Sequence, residues 1–131
     1  MEKSVISYRV PYADTDQMGV VYYANYLVYF ERLRNELLRE SGIPYLEIEK
    51  RGIMLPVIEA VCKYRNSARY DDLLEISGWI QEVRGAKIII NCEVRKNGEL
   101  LVEGHTIHAC VDIASRRPIR PPYDFEKLVM G

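Results

Sequence analysis

Apolar residues recur along this chain with two different periods. Between about residues 22 and 41 the spacing is helical: Leu27, Phe30, Leu33 or Arg34, Leu37 and Leu38 form one stripe, and Glu31, Arg32, Asn35, Glu36 and Arg39 fall largely elsewhere. Gly42 and Pro44 stop this helix, because glycine adopts the left-handed C-cap conformation cheaply and proline cannot continue the turn. Residues 5–10 alternate as an opening strand, closed by Pro11. After Gly52 strand signals dominate to Ile113, in four runs at about 53–66, 73–83, 87–96 and 100–112. Pro56 gives the first run an edge position or a bulge near its start. Arg84-Gly85 and Asn97-Gly98 separate the other three, and Asn-Gly is a strong type I′ hairpin signal, so these strands form an antiparallel meander. The clearest alternation sets Ile88, Ile90, Cys92 and Val94 against Lys87, Ile89, Asn91, Glu93 and Arg95. A second short helix is a candidate through Glu47 and Lys50.

One amphipathic helix and about five strands predict an α+β domain, with the helix on one face of a curved antiparallel sheet. Its 131 residues suit a single domain with one core. Full burial of Leu27, Phe30, Leu37 and Leu38 would contribute about 1.5–3 kcal/mol of transfer energy each. The tail, with Pro118, Pro121 and Pro122, reads as irregular up to about 125–129.

Composition narrows the function classes. The chain is 48% apolar and 28% charged with a net charge of -1, and its charges are interleaved, which argues against binding a nucleic-acid backbone. Cys62, Cys92 and Cys110 are odd in number and far apart without a CxxC pair, so neither a disulfide framework nor a zinc site is expected. His105 and His108, three apart on a predicted strand, face opposite ways and disfavour a shared metal. No metal or cofactor is expected. The first residues lack an apolar signal region and no apolar run reaches the roughly 18 residues of a membrane span, which makes a cytoplasmic protein without membrane insertion the expectation.

The chemistry concentrates in residues 12–26, where Asp14 and Asp16 occupy a loop leading directly into the helix. The unpaired N–H groups of a helix's first turn, backed by its dipole, hold developing negative charge, and acyl transfer needs that arrangement beside a carboxylate. Gly19 frees the backbone to turn tightly near the helix start.

This segment resembles the signature of the 4-hydroxybenzoyl-CoA thioesterase family of hotdog-fold proteins, most closely its Tol-Pal-associated acyl-CoA thioesterase branch. The likeness rests on Tyr12, Asp14-Thr15-Asp16, Gly19-Val20-Val21-Tyr22, Asn25-Tyr26, Phe30-Glu31 and Arg34, with Ala68-Arg69-Tyr70-Asp71-Asp72 and Arg117-Pro118 farther on. It implies a hotdog fold: a long central helix wrapped by a five- or six-stranded antiparallel sheet. It also implies dimers that join two sheets into one, often tetramers, with the active site at the dimer interface. The implied activity is hydrolysis of a short-chain or aromatic acyl-CoA, with an acyl carrier protein as a further candidate thiol. The implied catalytic carboxylate is Asp16, and the implied donor to the thioester carbonyl is the backbone amide of Tyr23. One departure stands out. The branch often has histidine at the position of Tyr23, and an unperturbed phenol, with a pKa of about 10, is ill suited to general-base work. The backbone role does not depend on the side chain.

Asp16 acts either as a nucleophile, through a mixed anhydride, or as a general base on water; capping the helix or an Asx-turn is the structural alternative. Asp14 reads as a structural partner turned toward backbone donors or an arginine. Tyr12 is a candidate to bring its hydroxyl to the acyl group or to Asp16, with packing as the alternative. Gly19, Val20, Arg69, Arg116 and Arg117 are the expected substrate contacts, with Arg65 and Arg120 as further candidates for the CoA phosphates. Glu31 is expected to pair with Arg34 or another arginine. Two rivals remain: a non-catalytic acyl-CoA or acyl-carrier binding protein tied to cell-envelope machinery, and a hotdog dehydratase, which would pair a histidine with a carboxylate near the helix.

Overall fold

A computed structural model describes residues 3–129. Strand β1 (Ser4–Arg9) and a single 3₁₀ turn (Tyr12–Asp14) precede the long helix α1 (Asn25–Glu40) and a short α2 (Tyr45–Lys50). Then come β2 (Ile53–Met54), β3 (Val57–Tyr64), β4 (Leu73–Arg84), β5 (Lys87–Lys96), β6 (Glu99–Ala109), β7 (Val111–Asp112) and α3 (Tyr123–Glu126). Five strands form one antiparallel sheet in the order β1-β4-β5-β6-β3, and β2 pairs with β7 separately. Helix α1 lies across the concave face, the α+β hotdog arrangement expected.

Local chemistry explains most of these elements. Asn97 and Gly98 both have positive φ (49° and 83°), as a type I′ turn demands, and join Lys96 to Glu99. At the end of α1, Gly42 has φ +81°, its N–H bonds Arg39 O, and Ile43 N–H bonds Leu38 O, the paired bonds of a Schellman cap. Tyr26, Tyr29, Phe30, Leu33, Leu37 and Leu38 form the buried face of α1. On β5 the buried residues are Ile88, Ile90, Cys92 and Val94, the set its alternation selects. All three cysteines are free, with Cys92 and Cys110 buried.

Three sequence expectations need correction. Leu27 is 40% exposed, so the apolar stripe of α1 extends beyond what one sheet covers. Helix α1 starts at Asn25 rather than near residue 22, because Tyr22 N–H is drawn to Asp14 O and the first turn closes by i→i−3 bonds, Asn25 N–H to Tyr22 O and Tyr26 N–H to Tyr23 O. The runs 53–66 and 100–112 are each broken. Pro56, with no N–H to give, separates β2 from β3, and Cys110 turns its N–H to Ala86 O, releasing β7 to pair with β2. A register shift between Val57 and Glu59 puts a bulge just past Pro56, and β3 is an edge strand, as that proline suggested.

The histidines do face opposite ways: His105 meets Glu59 at 3.4 Å on the outer face, and His108 is buried. His108 Nδ1 lies 3.0 Å from Leu55 O and Nε2 lies 2.9 Å from Thr106 Oγ1, the pattern of a neutral ring that donates from Nδ1 and accepts at Nε2. Burial lowers its pKa from 6.5 to about 4. The unfolded chain therefore binds this proton first, so the contribution is complete above about pH 6.5 and is lost as pH falls toward 4, by up to about 3 kcal/mol. Urea titrations across that window should show the loss, and His108→Asn should flatten it. A second expectation concerns the helix–sheet contact at Gly78, where an added Cβ would lie 2.4 Å from Leu33 Cδ1 and 2.6 Å from Asn91 O. Gly78→Ala should cost about 1–3 kcal/mol in the same titration.

Candidate active site

Residues 14–22 form a small hairpin before α1. Thr15 bridges Val21, Asp16 N–H bonds Val20 O, and Gly19 N–H bonds Asp16 O. Gly19 has φ +79°, so this is a three-residue loop closed by a left-handed glycine. The space beside Gly19 is not tight, since an added Cβ would meet only Arg69 Nη1 at 3.8 Å; the requirement there is conformational. The hairpin is anchored to the neck before β4, where Val21 N–H bonds Ala68 O and Val20 bridges Arg69.

Asp16 opens the turn. Its Oδ1 accepts the N–H of Met18 at 2.9 Å and of Val20 at 3.4 Å, an Asx-turn. Among the described residues its Oδ2 accepts no hydrogen bond, Asp16 enters no ion pair, and no side chain caps the start of α1. One carboxylate oxygen thus shapes the loop and the other is left over. Asp16 lines a cleft of about 400 Å³ with Val20, Tyr23, Tyr26, Tyr64 and Arg65 among its walls.

The same cleft is lined by Tyr23. The amides of Asn25, Tyr26 and Leu27 are taken by the i→i−3 bonds of the first turn, and that of Tyr22 by Asp14, whereas the Tyr23 N–H has no acceptor among the described residues. The Tyr64 hydroxyl donates to Tyr23 O at 3.2 Å, and burial pushes its pKa up to about 12, so it remains a donor at neutral pH. The Tyr23 ring packs edge-on to Tyr64 and against Tyr22, which begins a run of touching tyrosines that continues through Tyr26 and Tyr29 to Tyr8.

Asp14 faces away from the cleft. Its partners are two hydroxyls rather than an arginine: Oδ2 accepts from Tyr8 at 2.8 Å and from Tyr29 at 2.7 Å. Burial and the bonds to Asp14 raise the pKa of both phenols, which keeps them donors.

The remaining sequence-selected residues separate. Tyr12 is 76% exposed, edge-on to Tyr70, and is not part of the cleft wall of one chain. Arg69 lies beside Gly19, neither of them among the residues that line the cleft, and Arg65 lines the cleft while paired with Glu103 at 3.5 Å. Arg116 and Arg117 belong to the turn after β7, next to α2 and past the far end of α1, so one chain does not bring them to Asp16. Arg120 pairs with Glu126. Glu31 is exposed and forms no ion pair among the described residues, against expectation; it lines the same pocket as Arg34, whose pKa burial lowers against the opposing pull of the Cys92 and Glu31 charges. Tyr64, Tyr26 and Asn66 were missed as cleft residues; only the joining of the end of β3 to the start of α1 reveals them.

Comparison with known proteins identifies the family and the fold. The acyl-CoA thioesterase YbgC of Haemophilus influenzae is 36% identical over 115 residues, covering 87% of this chain and 85% of that protein. A hypothetical protein, TT1821 of Thermus thermophilus, superposes with a TM-score of 0.90 at 34% identity, covering 99% of this chain and 100% of that one. A DHNA-CoA thioesterase of Staphylococcus aureus superposes with a TM-score of 0.86 at 30% identity, covering 92% and 81%. Residues 10–129 match the model of the thioesterase-like superfamily, and the chain belongs to that superfamily.

Proposed function

We propose that this protein is an acyl-CoA thioesterase in which Asp16 drives hydrolysis and the Tyr23 amide holds the oxyanion. The observation that carries the reading is one cleft lined by both Asp16 and Tyr23, whose Oδ2 and main-chain N–H have no partner among the described residues. Relatives named as acyl-CoA thioesterases support the activity, and those named YbgC support the Tol-Pal-associated branch. The thioester carbonyl oxygen would accept from Tyr23 N–H while Asp16 either attacks the carbonyl carbon, expelling the CoA thiol and leaving an anhydride for water to open, or takes a proton from the attacking water. Gly19, Val20 and Arg69 would contact the thiol side of the substrate.

The working unit in this reading is at least a dimer. The outer edge of β3 is unpaired among the described residues, and Val57, Ile58 and Tyr64 on it are exposed beside exposed Leu27 and Val28 of α1. A second copy of β3 pairing antiparallel would join two sheets, cover these side chains, and set the partner's β2–β7 end beside this chain's cleft. That end carries the Arg116–Arg117 turn, which is how these arginines would reach CoA phosphates.

Asp16→Asn keeps the oxygen that Met18 and Val20 bind but removes the nucleophile or base. Thiol release from an acyl-CoA panel should fall by a factor of about 10² to 10⁴ while thermal stability is unchanged; turnover equal to wild type would refute the assignment. Light scattering should give a mass of two or four times 15.2 kDa, and a monomer that turns over at full rate would refute the shared site.

A further inference from the structure

The hydrolase reading uses one carboxylate of the Asp14-Thr15-Asp16 segment, and the other is the most heavily bonded polar residue near the cleft. Asp14 Oδ2 accepts the Tyr8 hydroxyl from β1 and the Tyr29 hydroxyl from α1. Its backbone oxygen accepts Tyr22 N–H at 2.9 Å and Asn25 Nδ2 at 2.9 Å. Tyr29 is 1% exposed and its ring packs on Tyr8 with centroids 4.8 Å apart, so both hydroxyls issue from fixed rings. Arg32 lies over the outer face of Tyr8, 5.0 Å from its centroid.

These bonds bracket the reacting groups. The carbonyl of Asp14 ties together the two ends of the hairpin, two residues before Asp16 and, at Tyr22, one residue before Tyr23. Its carboxylate fixes that junction to the first strand and to the helix. Resting on the hydrolase reading above, we propose that Asp14 is the positioning residue of the reaction: as a hydrogen-bond acceptor for Tyr8 and Tyr29 it fixes the separation of the Asp16 carboxylate from the Tyr23 amide, and it takes no part in proton or acyl transfer. A neutral acceptor of the same shape then suffices, because an amide oxygen also has two lone pairs for two hydroxyls. Reacting groups out of place by about 1 Å lose about a hundredfold in rate.

The test compares Asp14→Ala, Asp14→Asn and the Tyr8→Phe/Tyr29→Phe pair in the full chain, assayed well below each variant's unfolding temperature. Asp14→Ala should lower kcat about a hundredfold with KM within about threefold, and Asp14→Asn should recover most of that loss, to within about tenfold of wild type. The double phenylalanine variant keeps both rings, so it remains informative if Asp14→Ala fails to fold, and it should lose a comparable factor. Adding Asp14→Asn to it should cost little more, since the hydroxyls that the amide oxygen would accept are already gone. An Asp14→Asn protein that folds normally yet is as inactive as one lacking Asp16 would assign the charge itself to the chemistry and overturn the proposal. Wild-type kcat in the double phenylalanine variant would overturn it too. A wild-type chain that releases no thiol from any acyl-CoA would instead overturn the hydrolase reading, and the positioning role with it.

Discussion

Four hydrogen bonds converge on Asp14, and the geometry of the cleft depends on them. Without them residues 14–22 would be an exposed loop joined to the fold through Val20 and Val21 alone. With them the loop is pinned to β1 and α1, two elements the core already fixes, since Tyr29, Phe30 and Leu33 are almost fully buried. The acidic turn borrows its rigidity from the core. That matters because positioning and preorganised dipoles, rather than unusual side chains, are what an acyl-transfer site of one carboxylate and one amide relies on.

The second constraint is the use of hydrogen-bonding capacity at the helix start. A first turn that closed in the ordinary way would leave several N–H groups competing for water or ligand. Here the tight i→i−3 bonds consume those of Asn25, Tyr26 and Leu27, and Asp14 takes that of Tyr22; the amides of Tyr23 and Ala24 have no acceptor among the described residues, and of these two residues Tyr23 lines the cleft. Asp16 repeats the pattern on a single side chain, with Oδ1 spent on the turn and Oδ2 unspent. The Asx-turn is therefore compatible with a chemical role, and the two readings of Asp16 that the sequence leaves open are not exclusive.

Much of the architecture was legible because it is written in local rules. The alternation of β5, the Asn97-Gly98 turn, the Gly42 cap and the break at Pro56 each follow from one residue type in one backbone state. What escaped the sequence depends on neighbours distant along the chain. Cys110 looks like a strand residue until Ala86 O claims its N–H, and Leu27 looks like core until the sheet proves too narrow to cover it. Within the site, the motif pointed to Asp14, Asp16 and Tyr23, but the partners of Asp14 lie on two separate elements and share no pattern that would pair them. The arginines were the least legible, because a run such as 116–120 fixes charge without fixing location.

Hydrolysis at this site requires the Asp16 carboxylate and the Tyr23 amide to converge on one thioester carbonyl. A crystal structure of the Asp16→Asn protein holding an intact acyl-CoA tests it most directly. The thioester carbonyl oxygen should lie within about 3 Å of the Tyr23 nitrogen, with residue 16 facing the carbonyl carbon. A thioester bound elsewhere, or one whose carbonyl points away from that amide, would contradict it.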